Sequence, residues 1–312
     1  MMLFKRVFSI VLVCIILLYF LPLIVEGLKP ETARVRITEH GISTVKVMGH
    51  TMAYREAGSG YPVILVHGFS QSTLSWEKTM PALAAAGYHA YAIDLFGHGM
   101  SDKPYGVKYS PESYAQQVYE FMRAVRVPKA NIVAHSMGGA VAMKFACDHP
   151  DMAHKMALIG SAGLPGQLKN STLLGALKYP LIGEFLILFD FKPVIRKAHE
   201  DINVNGRIPV TDDYVRAFAR ASWTRGYDYT FLRLLRNFNA PEWDLAECMR
   251  SITKPVLILH GADDRLIEPE AARIMRGMLR NSRLVIIKKG PHALMETDAP
   301  AVNRNITDFF GE

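Results

Sequence analysis

A serine between a buried strand and a helix is the feature that most limits how this chain can fold. Residues 131–133 form a short apolar run that predicts a buried strand. Ala134-His135-Ser136-Met137-Gly138 follow it, and the pattern of residues 139–145 predicts a helix. The positions two residues before and after Ser136 are small, which a sharp turn needs because strand and helix approach closely there. The pattern therefore predicts that the Ser136 hydroxyl lies exposed to reactants at the edge of a sheet.

Strand and helix patterns alternate along most of the remaining chain. Alternating elements of this kind predict an α/β fold, with a mostly parallel sheet covered by helices on both faces. Strands are predicted at residues 43–47, 51–56, 62–66, 88–93, 155–159, 255–259 and 284–287, with a turn at Gly49-His50 between the first two. Helices are predicted around residues 80–86, 111–125, 269–279 and 300–310.

The alternation stops in one long segment and then resumes. Residues 163–248 have a helical pattern rich in large apolar side chains, and the strand pattern returns at Pro255. We interpret this segment as a helical cap inserted between two parts of one core, residues 41–162 and 249–312.

The N-terminus carries a continuous apolar run. Residues 7–25 are uncharged and follow Lys5-Arg6; as a helix they would be about 28 Å long, close to the hydrocarbon thickness of a bilayer. A cleavable signal peptide is the alternative, but its apolar stretch is usually about 7–15 residues. We therefore expect residues 1–26 to be a single-pass membrane anchor and residues 27–40 a linker. The short basic tail favours a main domain outside the cytoplasm, although basic residues flank both sides of the run.

Composition restricts the partners. The net charge of +7 is scattered, without a dense basic block, which argues against nucleic-acid binding. The three cysteines, Cys14, Cys147 and Cys248, lack metal-ligand spacing. Cys147 and Cys248 could pair in an oxidising compartment, but we expect free buried thiols. The sequence leaves the oligomeric state open.

A serine hydroxyl needs a base and a group that orients the base before it can act as a nucleophile. His292 lies in Gly290-Pro291-His292, directly after the last predicted strand, and so at the same sheet edge as Ser136. Asp264 ends the turn after the strand at residues 255–259, and we assign it as the carboxylate that holds the His292 tautomer. Its neighbour Asp263 is the alternative.

The oxyanion of a tetrahedral intermediate needs backbone N–H donors. We expect one from Met137, at the helix N-terminus, and one from Phe69, in the His67-Gly68-Phe69 turn after the strand at residues 62–66. Acyl transfer by such a triad needs neither a cofactor nor a metal.

An ordered set of motifs between residues 43 and 310 resembles the α/β-hydrolase superfamily. The set comprises His67-Gly68-Phe69, residues 94–101, residues 134–139, residues 261–264 and Gly290-Pro291-His292. The resemblance implies the α/β-hydrolase fold and the order serine, acid, histidine along the chain. Ala134 departs from the glycine usual in this family.

The resemblance also narrows the chemistry. Haloalkane dehalogenases and epoxide hydrolases of this fold carry an aspartate at the position of Ser136, so neither activity is expected. Asp94, His98 and Asp102 are interpreted as structural. The N-terminal anchor together with Ser-Met-Gly-Gly is similar to membrane-associated lipases and esterases, including the monoacylglycerol lipase type.

The expected function is a serine-triad carboxylic ester hydrolase (a lipase or esterase) that acts at a membrane surface. The apolar cap favours medium- or long-chain acyl esters such as monoacylglycerol, since each buried methylene contributes about 0.8 kcal/mol. One alternative is a C–C bond hydrolase of dienone acids, which would need an arginine for the substrate carboxylate; the cap offers Arg196, Arg220 and Arg225. Others are a perhydrolase and, in a different class, a non-catalytic ligand-binding protein.

Overall fold

The computed structural model describes residues 2–37, 40–165, 172–188, 192–203, 208–238 and 240–312. Within them, one eight-stranded sheet has the order β1-β2-β4-β3-β5-β6-β7-β8. The strands are β1 (Ser43–Val47), β2 (His50–Gly58), β3 (Tyr61–Val66), β4 (Tyr88–Ile93), β5 (Ala130–His135), β6 (Ala153–Ile159), β7 (Val256–Gly261) and β8 (Ser282–Ile287).

The sheet is parallel from β4 through β8, while β2 pairs antiparallel with both β1 and β4. This confirms the predicted mostly parallel α/β sheet. The β1–β2 turn lies at Met48-Gly49, with φ of 48° and 81°, so the prediction of Gly49-His50 was one residue late. Two successive residues of positive φ match the twist of a two-residue hairpin, and they leave His50 free to pair with Val47.

Helices cover both faces of the sheet. They are α1 (Met2–Leu28), α2 (Thr32–Arg36), α3 (Met80–Ala85), α4 (Pro111–Ala124), α5 (Met137–Asp148), α6 (Thr172–Leu177), α7 (Ile182–Leu186), α8 (Lys192–Ile202), α9 (Asp212–Ala219), α10 (Tyr227–Asn237), α11 (Ala246–Ser251), α12 (Pro269–Met278), α13 (Leu294–Thr297) and α14 (Ala299–Gly311). Short 3₁₀ turns lie at Thr73–Trp76, Arg220–Trp223 and Pro241–Trp243.

Side chains of the buried strands alternate between two apolar cores, as the period of two in a strand requires. On β3, Ile64 and Val66 join the core beneath α4, α5 and α12. Val63 and Leu65 join the opposite core beneath α3 and α14. Both faces being buried explains why these strands are continuous apolar runs.

Only helices and turns lie between β6 and β7 in the described part of the chain, which fits an insertion into one sheet. These helices contribute a third apolar cluster, centred on residues such as Ile195, Phe218 and Phe231. The cluster reaches the core through Ala53 and Met100. The limits 163–248 of the cap remain a prediction, and residues 166–171, 189–191, 204–207 and 239 lie outside the described residues.

The N-terminal helix α1 is long and apolar enough to cross a membrane, and almost none of it is buried against protein. The segment that follows, predicted as a linker, is docked on the body of the protein. Lys29 Nζ lies 2.6 Å from Asp228 Oδ2, and Arg36 Nη2 lies 2.8 Å from Asp102 Oδ1. Residues 38 and 39 lie outside the description.

The expectation of free buried thiols was wrong for two of the cysteines. Cys147 and Cys248 form a disulfide between α5 and α11, and both are only partly buried. The Cα–Cα distance of 6.0 Å is within the usual range for a disulfide. The pairing depends on how α11 packs against α5. The two cysteines are 101 residues apart in sequence, so no local pattern predicts this packing.

Candidate active site

Ser136 lies at the tight turn between β5 and α5, as the sequence predicts. Its backbone has φ 52° and ψ −119°, a conformation that costs a non-glycine residue about 1–3 kcal/mol. Two hydrogen bonds to the strand beside it hold this geometry: Ser136 N donates to Ile159 O (3.0 Å), and Ala162 N donates to Ser136 O (3.0 Å).

The small residues around Ser136 are required by close contacts. A Cβ at Gly138 would lie 2.3 Å from Val66 O, and one at Gly139 would lie 1.9 Å from Ser161 Oγ. Ala134, by contrast, lies fully buried in the core beneath α5, where its methyl group is accommodated. The departure from glycine at this position is therefore compatible with the turn.

Asp264 and His292 form a buried pair. His292 Nδ1 donates to Asp264 Oδ2 (2.7 Å), while Asp264 Oδ1 accepts from the backbone N–H groups of Leu266 and Ile267 (2.9 Å each). Burial alone would raise the pKa of Asp264, but the adjacent His292 and these hydrogen bonds together lower it below its usual value. The alternative acid, Asp263, is exposed, and its backbone N–H donates to Gly290 O.

Strand β6 places Ser136 close to the Asp264–His292 pair. Ser136 is hydrogen-bonded to Ile159, and the next residue, Gly160, lies directly beneath the pair. A Cβ on Gly160 would be 3.2 Å from His292 Nδ1 and 3.4 Å from Asp264 Oδ2. The turn that carries Ser136 therefore lies close to the Asp264–His292 pair, at the carboxyl edge of the sheet.

Two residues at this site were missed by the sequence reasoning. His135 Nε2 is 3.1 Å from His292 O, and its Nδ1 is 2.7 Å from Gln71 Oε1. Gln71 Oε1 also accepts from Gly68 N (3.1 Å). Burial and the neighbouring His292 hold the pKa of His135 well below its usual value. The position of His135 inside the serine motif was the available signal, whereas Gln71 had none.

The two segments that carry the predicted oxyanion donors lie beside Ser136. Met137 begins α5, and a Cβ on Gly68 would lie 3.1 Å from Ser136 Cβ, so the turn that contains Phe69 lies against the serine. The Phe69 ring packs on the cap residues Phe231 and Phe238, at centroid distances of 5.1 Å and 6.2 Å. The turn at residues 67–69, which we call the oxyanion loop after its predicted role, is therefore in contact with the cap.

Asp94 and Asp102 bind backbone rather than a reacting centre, in agreement with a structural role. Asp94 accepts from Thr73 N and Met100 N, at 2.7 Å each. Asp102 accepts from Thr51 N (2.7 Å) besides pairing with the N-terminal segment. These carboxylates fix the loops that follow β3 and β4.

The three cap arginines occupy different places. Arg196 binds Val210 O and Asp212, and Arg225 binds Gly27 O and Glu31. Arg220 lines a cavity of about 100 Å³ between cap and core, and the triad residues do not line it. Within the described residues, no cluster of three or more His, Cys, Asp or Glu side chains could hold a metal ion.

Comparison with known proteins identifies relatives over most of the chain. The family model described as "Serine aminopeptidase, S33" matches residues 61–298. The 2-hydroxy-6-oxo-2,4-heptadienoate hydrolase of Pseudomonas putida is 24% identical over 265 residues, covering 81% of this chain and 90% of the relative.

Solved structures share the fold. A meta-cleavage product hydrolase from Pseudomonas fluorescens superposes with a TM-score of 0.74 at 23% identity, covering 86% of this chain and 97% of the other. An esterase from Exiguobacterium antarcticum gives a TM-score of 0.73 at 20% identity, covering 86% and 99%. Relatives of this fold thus include enzymes named for different reactions, and the reaction must be argued from the site.

Proposed function

This chain belongs to the serine aminopeptidase family of the α/β-hydrolase superfamily, and we propose that it is a membrane-anchored carboxylic ester hydrolase. The observation that carries the proposal is the buried Asp264–His292 pair beside a serine held in a strained turn. Ser136 attacks the ester carbonyl, and His292 accepts its proton and donates it to the leaving alcohol, which leaves an acyl group on Ser136. Water, activated by His292, then releases the acid and restores the Ser136 hydroxyl. Asp264 keeps His292 in the tautomer whose Nε2 can accept a proton.

Backbone N–H groups stabilise the negative charge that develops in this reaction. Met137 and Phe69 supply the two donors, and the partial positive charge at the N-terminus of α5 adds to their effect. The loss of one such donor typically costs about 10²–10³-fold in kcat. The hydrogen bond from Gly68 N to Gln71 Oε1 fixes the loop that carries the second donor.

The surroundings of the oxyanion loop favour an acyl chain over a charged substrate. Phe69 and its cap neighbours Phe231 and Phe238 form an aromatic wall, backed by the apolar cluster of the cap. Each methylene buried there contributes about 0.8 kcal/mol, close to fourfold in affinity. Medium- or long-chain esters such as monoacylglycerol are therefore the proposed substrates.

The helix α1 and the disulfide support the same location for the catalytic domain. An exposed apolar helix of 27 residues is long enough to anchor the chain in a bilayer. The Cys147–Cys248 disulfide persists only in an oxidising compartment, which fits a domain on the non-cytoplasmic side.

C–C bond hydrolysis of dienone acids is the second candidate, because relatives in sequence and in fold carry such names. That reaction needs a cation for the substrate carboxylate. Arg196 and Arg225 are bound to other groups of the cap and the N-terminal segment. Arg220 lines a cavity without triad residues, so the arrangement of arginines favours the ester reaction. Perhydrolysis and ligand binding without catalysis are further alternatives.

The test is hydrolysis of p-nitrophenyl esters from two to sixteen carbons by the full chain in detergent. Ser136→Ala should abolish activity, whereas Ser282→Ala, at a partly buried serine that begins β8 at the opposite edge of the sheet, should retain most of it. Activity that peaks at acyl chains of eight or more carbons supports a lipid substrate. A preference for the two-carbon ester contradicts it. Cleavage of a coloured dienone acid without esterase activity would establish the second candidate. Failure of Ser136 to react with a fluorophosphonate would point to ligand binding.

A further inference from the structure

The N-terminal helix does not leave the protein as a free tether. Helix α1 packs against the cap helix α7. Leu18, Pro22 and Val25, spaced four and three residues apart, lie on one face of α1 and are partly or fully buried, while most of the helix around them is exposed. All three belong to the apolar run of residues 7–25 that the proposed function places in the bilayer.

The depth of this contact follows from helix geometry. From Leu18 to Val25, α1 rises about 10 Å, at about 1.5 Å per residue. Helices that lie in a membrane interface are buried about 5–10 Å into the boundary between headgroups and acyl chains. A helix that packs beside this end of the anchor is therefore at the level of that boundary.

The cap exposes large apolar side chains beside this contact. Tyr179, in the turn between α6 and α7, is 64% exposed; Ile182, the first residue of α7, is 50% exposed, and Trp223 is 49% exposed. Trp223 follows Ser222, whose carbonyl accepts from Lys29 Nζ (3.1 Å) at the base of the anchor. Tyrosine and tryptophan are the side chains enriched at membrane interfaces.

The charges of this region suit a lipid surface. The ammonium group of Lys192 lies 4.8 Å above the Trp223 ring, where it can meet lipid phosphates. The one acidic residue of α7, Glu184, is held by Arg236 through two bonds of 2.7 Å and 2.9 Å. Arg236 also donates to the carbonyl of Lys178 and so fixes this turn onto α10. No unpaired acid of α7 therefore opposes insertion.

We propose that Tyr179, Ile182 and Trp223 form a second membrane contact, which inserts into the interface beside the anchor and turns the cap toward the bilayer. The proposal rests on the membrane anchor of the proposed function and not on the reaction. The proposed contact implies a short path for an acyl chain from the membrane to the site. Arg236 of α10 holds the turn before α7, and Phe231 of the same helix packs against Phe69 in the oxyanion loop.

The native tryptophans provide a direct test. Of the three, Trp76 and Trp243 are buried, and Trp223 alone is substantially exposed. The full chain is reconstituted in phosphatidylcholine vesicles with 20 mol% phosphatidylglycerol (roughly the charge of an anionic membrane), with and without bromine on shallow acyl carbons. Emission of wild type minus Trp223→Phe isolates the signal of Trp223.

We expect brominated lipid to remove most of the Trp223 signal and aqueous iodide to leave it largely unchanged. Quenching by iodide but not by brominated lipid would overturn the proposal. Resistance to both would indicate a protein contact, such as a second copy, and would overturn it equally. A chain that does not float with vesicles refutes both the anchor and this surface, whereas loss of esterase activity alone refutes only the reaction.

A second measurement uses paired variants. Ile182→Asp should lower cleavage of a long-chain ester embedded in vesicles by severalfold and leave cleavage of a soluble short ester unchanged. Ile274→Asp is the matched control, since Ile274 is 44% exposed and its helix, α12, packs on β7, β8 and α11. Equal effects of the two variants on the embedded ester would contradict the proposal.

Discussion

Asp264→Asn tests the assignment of the acid with a change of one atom. Asp264 Oδ2 accepts from His292 Nδ1 at 2.7 Å and lies 3.4 Å from His260 Nε2, while Oδ1 accepts from the backbone N–H groups of Leu266 and Ile267 at 2.9 Å. The hydrogen-bond partners are all donors, so an asparagine must turn its NH₂ group either toward the histidines or toward the backbone N–H groups. Facing the two backbone donors would leave two buried N–H groups unpaired, at about 1–3 kcal/mol each. We therefore expect the NH₂ group to face His292.

That orientation reverses the His292 tautomer. Nδ1 must then accept, which moves the imidazole proton to Nε2, where it blocks removal of the Ser136 proton. The corresponding change in serine triads lowers kcat about 10⁴-fold, or about 5 kcal/mol in activation free energy. The fold should persist, because asparagine keeps the volume and the two backbone bonds.

The assay compares kcat on the preferred p-nitrophenyl ester for Asp264→Asn and Asp263→Asn, with melting curves for both. Asp263 is the matched control because it is adjacent and exposed. We expect Asp263→Asn to stay within a fewfold of wild type. The reasoning fails if Asp264→Asn, still folded, retains more than about a tenth of kcat, or if the two variants lose activity equally.

Two further predictions concern stability. Replacing Cys147 and Cys248 by serine should lower the free energy of unfolding by up to about 5 kcal/mol, since the disulfide closes a loop of 101 residues, and denaturation with and without reductant measures it. Burial raises the pKa of Glu296 to about 7, and Tyr214 donates to its Oε2 (2.5 Å). Its contribution is therefore complete below about pH 4.5 and falls by about 3 kcal/mol as the pH rises to about 7. Glu296→Gln should flatten this part of a profile of Tm against pH, and an unchanged slope would contradict the assignment.

The sheet and the contact between Asp264 and His292 could be predicted because each depends on local pattern plus one topological rule. Residues that follow parallel strands gather at one edge, so Ser136, Asp264 and His292 could be brought together without knowing any distance. The choice of Asp264 over Asp263 depended on its place in the turn after β7, and the backbone N–H groups of the next turn account for it.

The features that the sequence did not reveal depend on packing between distant segments. The Cys147–Cys248 pair requires the register of α11 against α5. Gln71 contacts His135 because the oxyanion loop folds over this histidine. No sequence pattern indicates that a single glutamine makes such a contact. The docking of the predicted linker depends on ion pairs with partners at positions 102 and 228, which no local pattern could connect.

Helix α10 joins the two parts of the molecule on which the proposed function depends. Lys29, directly after α1, pairs with Asp228 in the first turn of α10. In the same turn, the Tyr227 hydroxyl lies 2.9 Å from Ser70 Oγ, directly after Phe69, the proposed oxyanion residue. A truncated chain that begins after residue 40 lacks α1 and also lacks the ion pair between Lys29 and Asp228. It therefore loses a constraint on α10, the helix that contacts the oxyanion loop. Low activity of such a truncation would therefore not argue against the triad, and the full chain in detergent or vesicles is the appropriate form for every kinetic comparison.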